Sequence, residues 1–221
     1  MKTRLSKQRN QAMDIVDLLV IIAVIGILAA MSIPTLAAAK RRAQNMNCVV
    51  NVKQISLASR LWEGDHNGAY PMSYYTTNDV LEWPMTANIA VYFRAMSNEI
   101  TSPKFLICPL DRKHVPATNW TTDFNNSHIS YFLNLDASET YPQMIMSGDD
   151  NLAINGVPVK SGLLLLPANA AISWTTERHG RVGNLGFADG SVAEESSAGL
   201  ESASKLSIQG TPVATNGIVI P

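Results

Sequence analysis

Residues 13–39 read MDIVDLLVIIAVIGILAAMSIPTLAAA, and from Leu18 to Ala39 the stretch holds no charged side chain. As a helix rising 1.5 Å per residue, those 22 residues extend ~33 Å, enough to cross a hydrocarbon core of ~30 Å. The alternative is a buried core helix of a soluble domain. It is disfavoured because few such helices are apolar on every face. Before the run, Met1 to Ala12 carry Lys2, Arg4, Lys7 and Arg9 and no acid; directly after it come Lys40, Arg41 and Arg42. That balance favours a cytoplasmic N-terminus and an exported C-terminal region.

The totals fit one membrane helix plus one exported domain in 221 residues. Lys+Arg 17 against Asp+Glu 18 gives a net charge of -1, so no basic surplus points to nucleic acid and no acidic run marks a disordered tail. Two cysteines, Cys48 and Cys108, make neither a disulfide-dense scaffold nor a four-cysteine zinc site. In an oxidising compartment they form a single bridge; two free thiols are the other reading.

Asp17 is the informative residue at the edge of the span. A carboxylate there is costly and is usually retained for a partner, although an aspartate can also reach headgroup water. The run Ala12-Met13-Asp14-Ile15-Val16-Asp17-Leu18-Leu19, after a short basic leader, resembles the prepilin peptidase signal of type IV prepilins and type II secretion pseudopilins. The resemblance implies cleavage between Ala12 and Met13, N-methylation of Met13, and Asp17 as the acidic fifth residue of the mature chain. Pro34 falls where pilin-like proteins carry a helix-bending proline. Two positions depart from the family pattern: Ala12 stands where Gly is usual, and Asp17 where Glu is usual. A rival processing site, Ala37-Ala38-Ala39, has the A-x-A form read by ordinary signal peptidase and would release a chain starting at Lys40.

Lys40 to Glu63 contains no Gly or Pro, so the helix is expected to continue to Gly64. At about 100° per residue, Cys48, Val52, Ile55 and Trp62 share one side, and Val50, Leu57 and Leu61 lie nearly opposite. One apolar face suffices to pack on a sheet. The second implies either neighbouring subunits or burial on both sides within its own domain. Asp65-His66-Asn67-Gly68-Ala69-Tyr70-Pro71 resembles the acidic turn and Tyr-Pro that close this helix in pseudopilin-like proteins.

Beyond Met72, candidate strands are Phe105–Cys108, Ser130–Leu133, Gln143–Met146, Leu163–Leu166, Ala171–Trp174 and Leu185–Ala188, which together predict a mainly antiparallel β region. Gly199 to Pro221 reads as the most flexible part. Asp189-Gly190 between two short strand-like runs predicts a two-residue hairpin turn. With His179 upstream, the segment resembles the His…Asp-Gly signature, nine residues intervening, of a large pseudopilin-like subgroup. Phe105, Cys108-Pro109, Asp111 and Ser130-Tyr131 also fit that subgroup, so the resemblance touches most of the chain.

A His/Asp pair needs a nucleophile or a metal to do chemistry, and no Gly-x-Ser-x-Gly elbow accompanies His179 and Asp189. A structural hydrogen bond from His179 into the hairpin is the simpler expectation. Gly180–Gly186 lacks dinucleotide-binding spacing and reads as loop. Asp149-Asp150-Asn151 and Asp65-His66-Asn67 lack the spacing of a calcium loop and read as solvated turns.

These readings predict an α+β, pilin-like fold: a basic leader over 1–12, a long helix over 13–63 with its membrane segment at about 18–39, and an exported β-rich domain over 64–221. The expected function is structural and not enzymatic, with no cofactor or metal. The partners the resemblance implies are prepilin peptidase, other pilin or pseudopilin subunits and an inner-membrane assembly platform; the expected location is the inner membrane, single-pass. Two rivals come from other classes. One is a signal-anchored periplasmic binding module, with carbohydrate as its ligand class, using Trp83, Trp120 and Trp174; the other is a tethered hydrolase using His179 and Asp189.

Overall fold

The computed structural model describes residues 15–73, 88–121 and 123–221. Ala12, Met13 and Trp83 therefore lie outside the described residues. The chain divides into two compact units, and the boundary between Ala43 and Gln44 falls inside its first helix.

That helix, α1 (Ile15–Asp65), runs for 51 residues. In the first unit every large apolar side chain from Ile15 to Leu36 is exposed, which is not the environment of a core helix. By length and composition this stretch could cross a membrane. Asp17 sits in the first turn, where a carboxylate meets the positive end of the helix dipole. Pro34 lies inside the helix, which continues through it. Near the proline, Ser32 Oγ donates to the Leu28 carbonyl at 2.8 Å, and Thr35 Oγ1 donates to the Ser32 carbonyl at 2.8 Å.

The second unit, Gln44–Pro221, stacks three layers. In the middle lies a six-stranded antiparallel sheet built from β1 (Tyr131–Asn134), β2 (Ile145–Asp149), β5 (Gly162–Pro167), β7 (Val182–Phe187), β8 (Val192–Ser196) and β9 (Thr215–Ile220), in the order β5-β9-β1-β2-β7-β8. Successive side chains of a strand point to opposite faces. Tyr131 and Leu133 of β1 and Val219 of β9 accordingly join the core beneath α1, with Cys48, Val52, Ile55 and Trp62. Phe132 of β1 and Ile218 and Ile220 of β9 enter a second core on the other face. That core is closed by α3 (Ser197–Ile208) and a small sheet of β3 (Leu152–Ile154), β4 (Val157–Pro158) and β6 (Ile172–Trp174). A short helix α2 (Ala90–Ala95) adds Ala90, Tyr92 and Phe93 to the first core. The architecture is α+β, with a long N-terminal helix and antiparallel sheets.

Four local expectations are corrected. Phe105–Cys108 is not a strand: a 3₁₀ turn spans Pro103–Leu106, started by Pro103 and by Ser102 accepting from Lys104 N. Gly180–Gly186 is not all loop, because β7 begins at Val182. The strand expected at Gln143 begins at Ile145 and runs on to Asp149. Gly199–Pro221 holds most of α3 and all of β9, and β9 sits between β5 and β1 with Ile218, Val219 and Ile220 buried. The small residues there line a packed helix face, where Leu200, Ala203, Ser204 and Ser207 are buried.

Candidate functional site

The part of α1 within the second unit has two unlike faces. Cys48, Val52, Ile55, Ala58 and Trp62 are buried against the sheet. Val50, Leu57 and Leu61 are about half exposed, at 49%, 54% and 55%. Leu57 and Leu61 border a shallow groove of about 180 Å³ whose far side is Ile100 and Phe105. The helix is therefore not buried on both sides by its own domain.

The segment from His179 to Gly190 grips that helix at three levels. At the first, His179 Nδ1 lies 3.2 Å from Asn45 Oδ1. In the middle, β7 presses on α1 at Gly186, where an added Cβ would stand 2.5 Å from Ser56 Oγ and 3.0 Å from Val52 Cγ1. At the hairpin tip, Lys53 Nζ donates to the Gly190 carbonyl at 2.5 Å and Arg60 Nη1 to the Asp189 carbonyl at 2.5 Å. Arg60 also pairs with Glu139 at 3.3 Å. The tip is a three-residue loop, Ala188-Asp189-Gly190, not the two-residue turn expected. Phe187 N donates to the Ser191 carbonyl at 2.9 Å, and Gly190 N donates back to the Phe187 carbonyl at 2.9 Å. Gly190 has φ +82°, the left-handed position that ends such a loop. The Asp189 carboxylate accepts from Ser191 N at 2.7 Å; hydrogen bonding from the Ser191 side chain, with this backbone bond adding to it, holds its pKa below the usual range.

His179 does not bond into the hairpin. Its ring lies against the disulfide that joins Cys48 to Cys108, whose Cα atoms are 5.3 Å apart. Nε2 is 3.4 Å from Cys108 Sγ and 3.4 Å from Asp149 Oδ2. Burial, with the Arg178 charge adding to it, pushes the His179 pKa down. Asp149 is fully buried, and its Oδ2 accepts from Asn184 N and Nδ2 at 2.8 and 2.9 Å. Burial raises its pKa to about 6.

Next to it is a buried ionic cluster that the sequence did not announce. Arg178 pairs with Asp111 at 2.8 Å and with Asp150, and its Nη1 donates to the Ser130 carbonyl at 2.8 Å. His114 Nδ1 is 2.7 Å from Asp111 Oδ2, which also accepts from Ser130 Oγ at 2.6 Å. Burial pushes the Asp111 carboxyl up, but the His114, Arg178 and Ser130 contacts together hold it well below the usual range. Burial wins at Asp150, whose pKa is raised to about 6 against the pull of Arg178. Asp149-Asp150-Asn151 is thus a buried junction and not a solvated turn. Asp65 and Asn67, by contrast, are exposed, and His66 stacks on Trp62 with ring centroids 3.4 Å apart.

The structure brings His179 to Cys48 and Cys108, and Asp189-Gly190 to Lys53 and Arg60. It places His179 and Asp189 on different partners, so they do not form a catalytic dyad. Trp174 is buried and so is not an open platform for a sugar, while Trp120 is half-buried and packs edge-on against Phe124 at 4.9 Å. Fold and site define an α+β domain gripped onto a long helix whose N-terminal part is apolar on every face. No protein family, curated protein or solved structure matches the chain.

Proposed function

We propose that the chain is a pilin-like structural subunit, anchored in the inner membrane by α1 and assembled into a filament of the type IV pilus or type II secretion kind. The observation that carries this reading is one helix with two kinds of exposed apolar surface. Its first part is apolar and exposed all round, and its second part keeps Val50, Leu57 and Leu61 exposed opposite the face that holds the domain. A ridge of this kind calls for cover by membrane and then by protein. Like helices packed side by side through heterologous contacts build open helical polymers. On this reading prepilin peptidase cuts between Ala12 and Met13, Met13 is methylated, and the assembly platform extracts the helix from the membrane. The domain faces the periplasm or the filament exterior. The role is not enzymatic.

Asp17 then serves assembly. Cleavage leaves a positive amine on Met13, four residues away in the same chain or offered by a neighbour. Two unit charges 4 Å apart attract by ~4 kcal/mol at an effective dielectric of 20, and desolvation lowers the net value. Shearing cells and comparing filament with membrane fractions tests this for the parent, Asp17→Ala and Asp17→Glu. The parent and the glutamate variant should appear in filaments, and the alanine variant should be cleaved but depleted about tenfold or more. Absence of the parent from sheared filaments, or an alanine variant at the parental level, contradicts the proposal.

A further inference from the structure

Among the described residues, Cys48, Cys108 and His179 bring their ligand atoms within 4.8 Å of one another, and all three are buried. They are contributed by α1, by the segment after the 3₁₀ turn and by the segment before β7. Asp149 lies beside this group without belonging to it: its Oδ2 is 3.4 Å from His179 Nε2, the same separation as from Nε2 to Cys108 Sγ, but it is not within 4.8 Å of all three ligand atoms. Zinc bonds of about 2.0–2.1 Å to nitrogen, 2.3 Å to sulfur and 2.0–2.2 Å to oxygen, set at tetrahedral angles, give N···S edges of ~3.6 Å and N···O edges of ~3.3–3.5 Å. The separation from Nε2 to Cys108 Sγ already stands close to the N···S length, while the two sulfurs are bonded to each other and part when the bridge opens.

The surroundings match what metal ligands need. Asn45 Oδ1 receives Nδ1 of His179, which turns Nε2 inward, and Asn184 holds Asp149 Oδ2 through two nitrogens. Asp149 Oδ1 is buried without a hydrogen-bond partner. In the bridged state Nε2 faces a disulfide sulfur and a carboxylate oxygen, and neither can donate to it.

We propose that when the Cys48–Cys108 bond is open this place binds one zinc ion through Cys48 Sγ, Cys108 Sγ and His179 Nε2, with the Asp149 carboxylate beside it. The same residues thus have two closed forms, a disulfide under oxidising conditions and a zinc centre under reducing ones. Opening takes two electrons and two protons from a dithiol, which leaves as its own disulfide; zinc then displaces the two thiol protons. Closing passes two electrons from the zinc-bound thiolates to an oxidised dithiol, which takes two protons from water and leaves as the dithiol, and the metal is released. The zinc form keeps both thiols from pairing with another chain before the bridge is made.

The test uses the full chain in detergent, prepared without oxygen under a dithiol reductant and, in parallel, air-oxidised. Zinc per chain is measured by elemental analysis after dialysis, together with a thiol count. Reduced protein should retain one zinc per chain and bridged protein none, and His179→Ala should bind at least tenfold more weakly. Cobalt added to the reduced parent should show thiolate-to-cobalt charge transfer and the strong visible bands of a tetrahedral site. That spectrum is read on the parent, so misfolding of the variant does not shelter the proposal. Equal zinc in reduced and bridged protein, undiminished binding by His179→Ala, or a cobalt spectrum without thiolate bands overturns it.

Discussion

Gly186 marks the closest approach of β7 to α1. A methyl added there meets Ser56 Oγ at 2.5 Å and Ser147 Oγ at 2.8 Å, both in the packed interior. Gly186→Ala should destabilise the protein by about 1–3 kcal/mol, the usual cost of overpacking. Gly64, near the end of α1, has nothing within 4 Å of an added Cβ. Gly64→Ala should therefore stabilise by about 0.5–1 kcal/mol. Thermal unfolding of the two variants in one detergent checks both signs, and an unchanged Gly186→Ala would mean that strand and helix are not in close contact. At this scale the sequence is a poor guide. Gly180–Gly186 reads as loop because its glycines lack dinucleotide-binding spacing, whereas Gly186 stands where the strand meets Ser56 and Val52 of α1. Asp149-Asp150-Asn151 reads as a wet turn, and only the return of Arg178 from 28 residues downstream shows why Asp150 is buried.

Elements were more legible where the signal is local. The two apolar faces of α1 follow from a 3.6-residue period, and the structure buries one and exposes the other. Alternating runs gave several strands to within a residue or two, but α3 and β9 were hidden by Gly, Ser, Ala and Thr, whose burial depends on the sheet they meet. The hairpin was legible in Asp189-Gly190, yet its loop length was not, since that depends on the register between β7 and β8. The grip of that hairpin on α1 passes through the backbone carbonyls of Asp189 and Gly190, donated to by Lys53 and Arg60. Replacing both cations by methionine keeps much of the apolar stem and removes both bonds. Hydrogen exchange of the backbone amides of Phe187 and Gly190 should then quicken by about tenfold, equivalent to ~1.4 kcal/mol of local opening. Exchange at the parental rate would show that the tip is held by its own turn alone.

For the whole molecule, we propose that α1 joins a membrane anchor to a domain, and that processing of the leader readies that helix for assembly. The exposed apolar run from Ile15 to Leu36 suits an anchor, while the residues from Gln44 onward belong to the folded domain. Signal peptidase cutting after Ala39 would separate the two, and prepilin peptidase cutting after Ala12 would keep them joined. Fold class was legible because a long uniform helix and alternating strands write themselves into composition. The stacking of a second sheet and α3 behind the first was not, because it rests on contacts between distant segments. The most direct measurement is the intact mass of the protein extracted from membranes of the cells that make it. A chain beginning at Met13 with one added methyl group is expected, and a chain beginning at Lys40, or one that keeps Met1 to Ala12, would overturn the pilin-like reading.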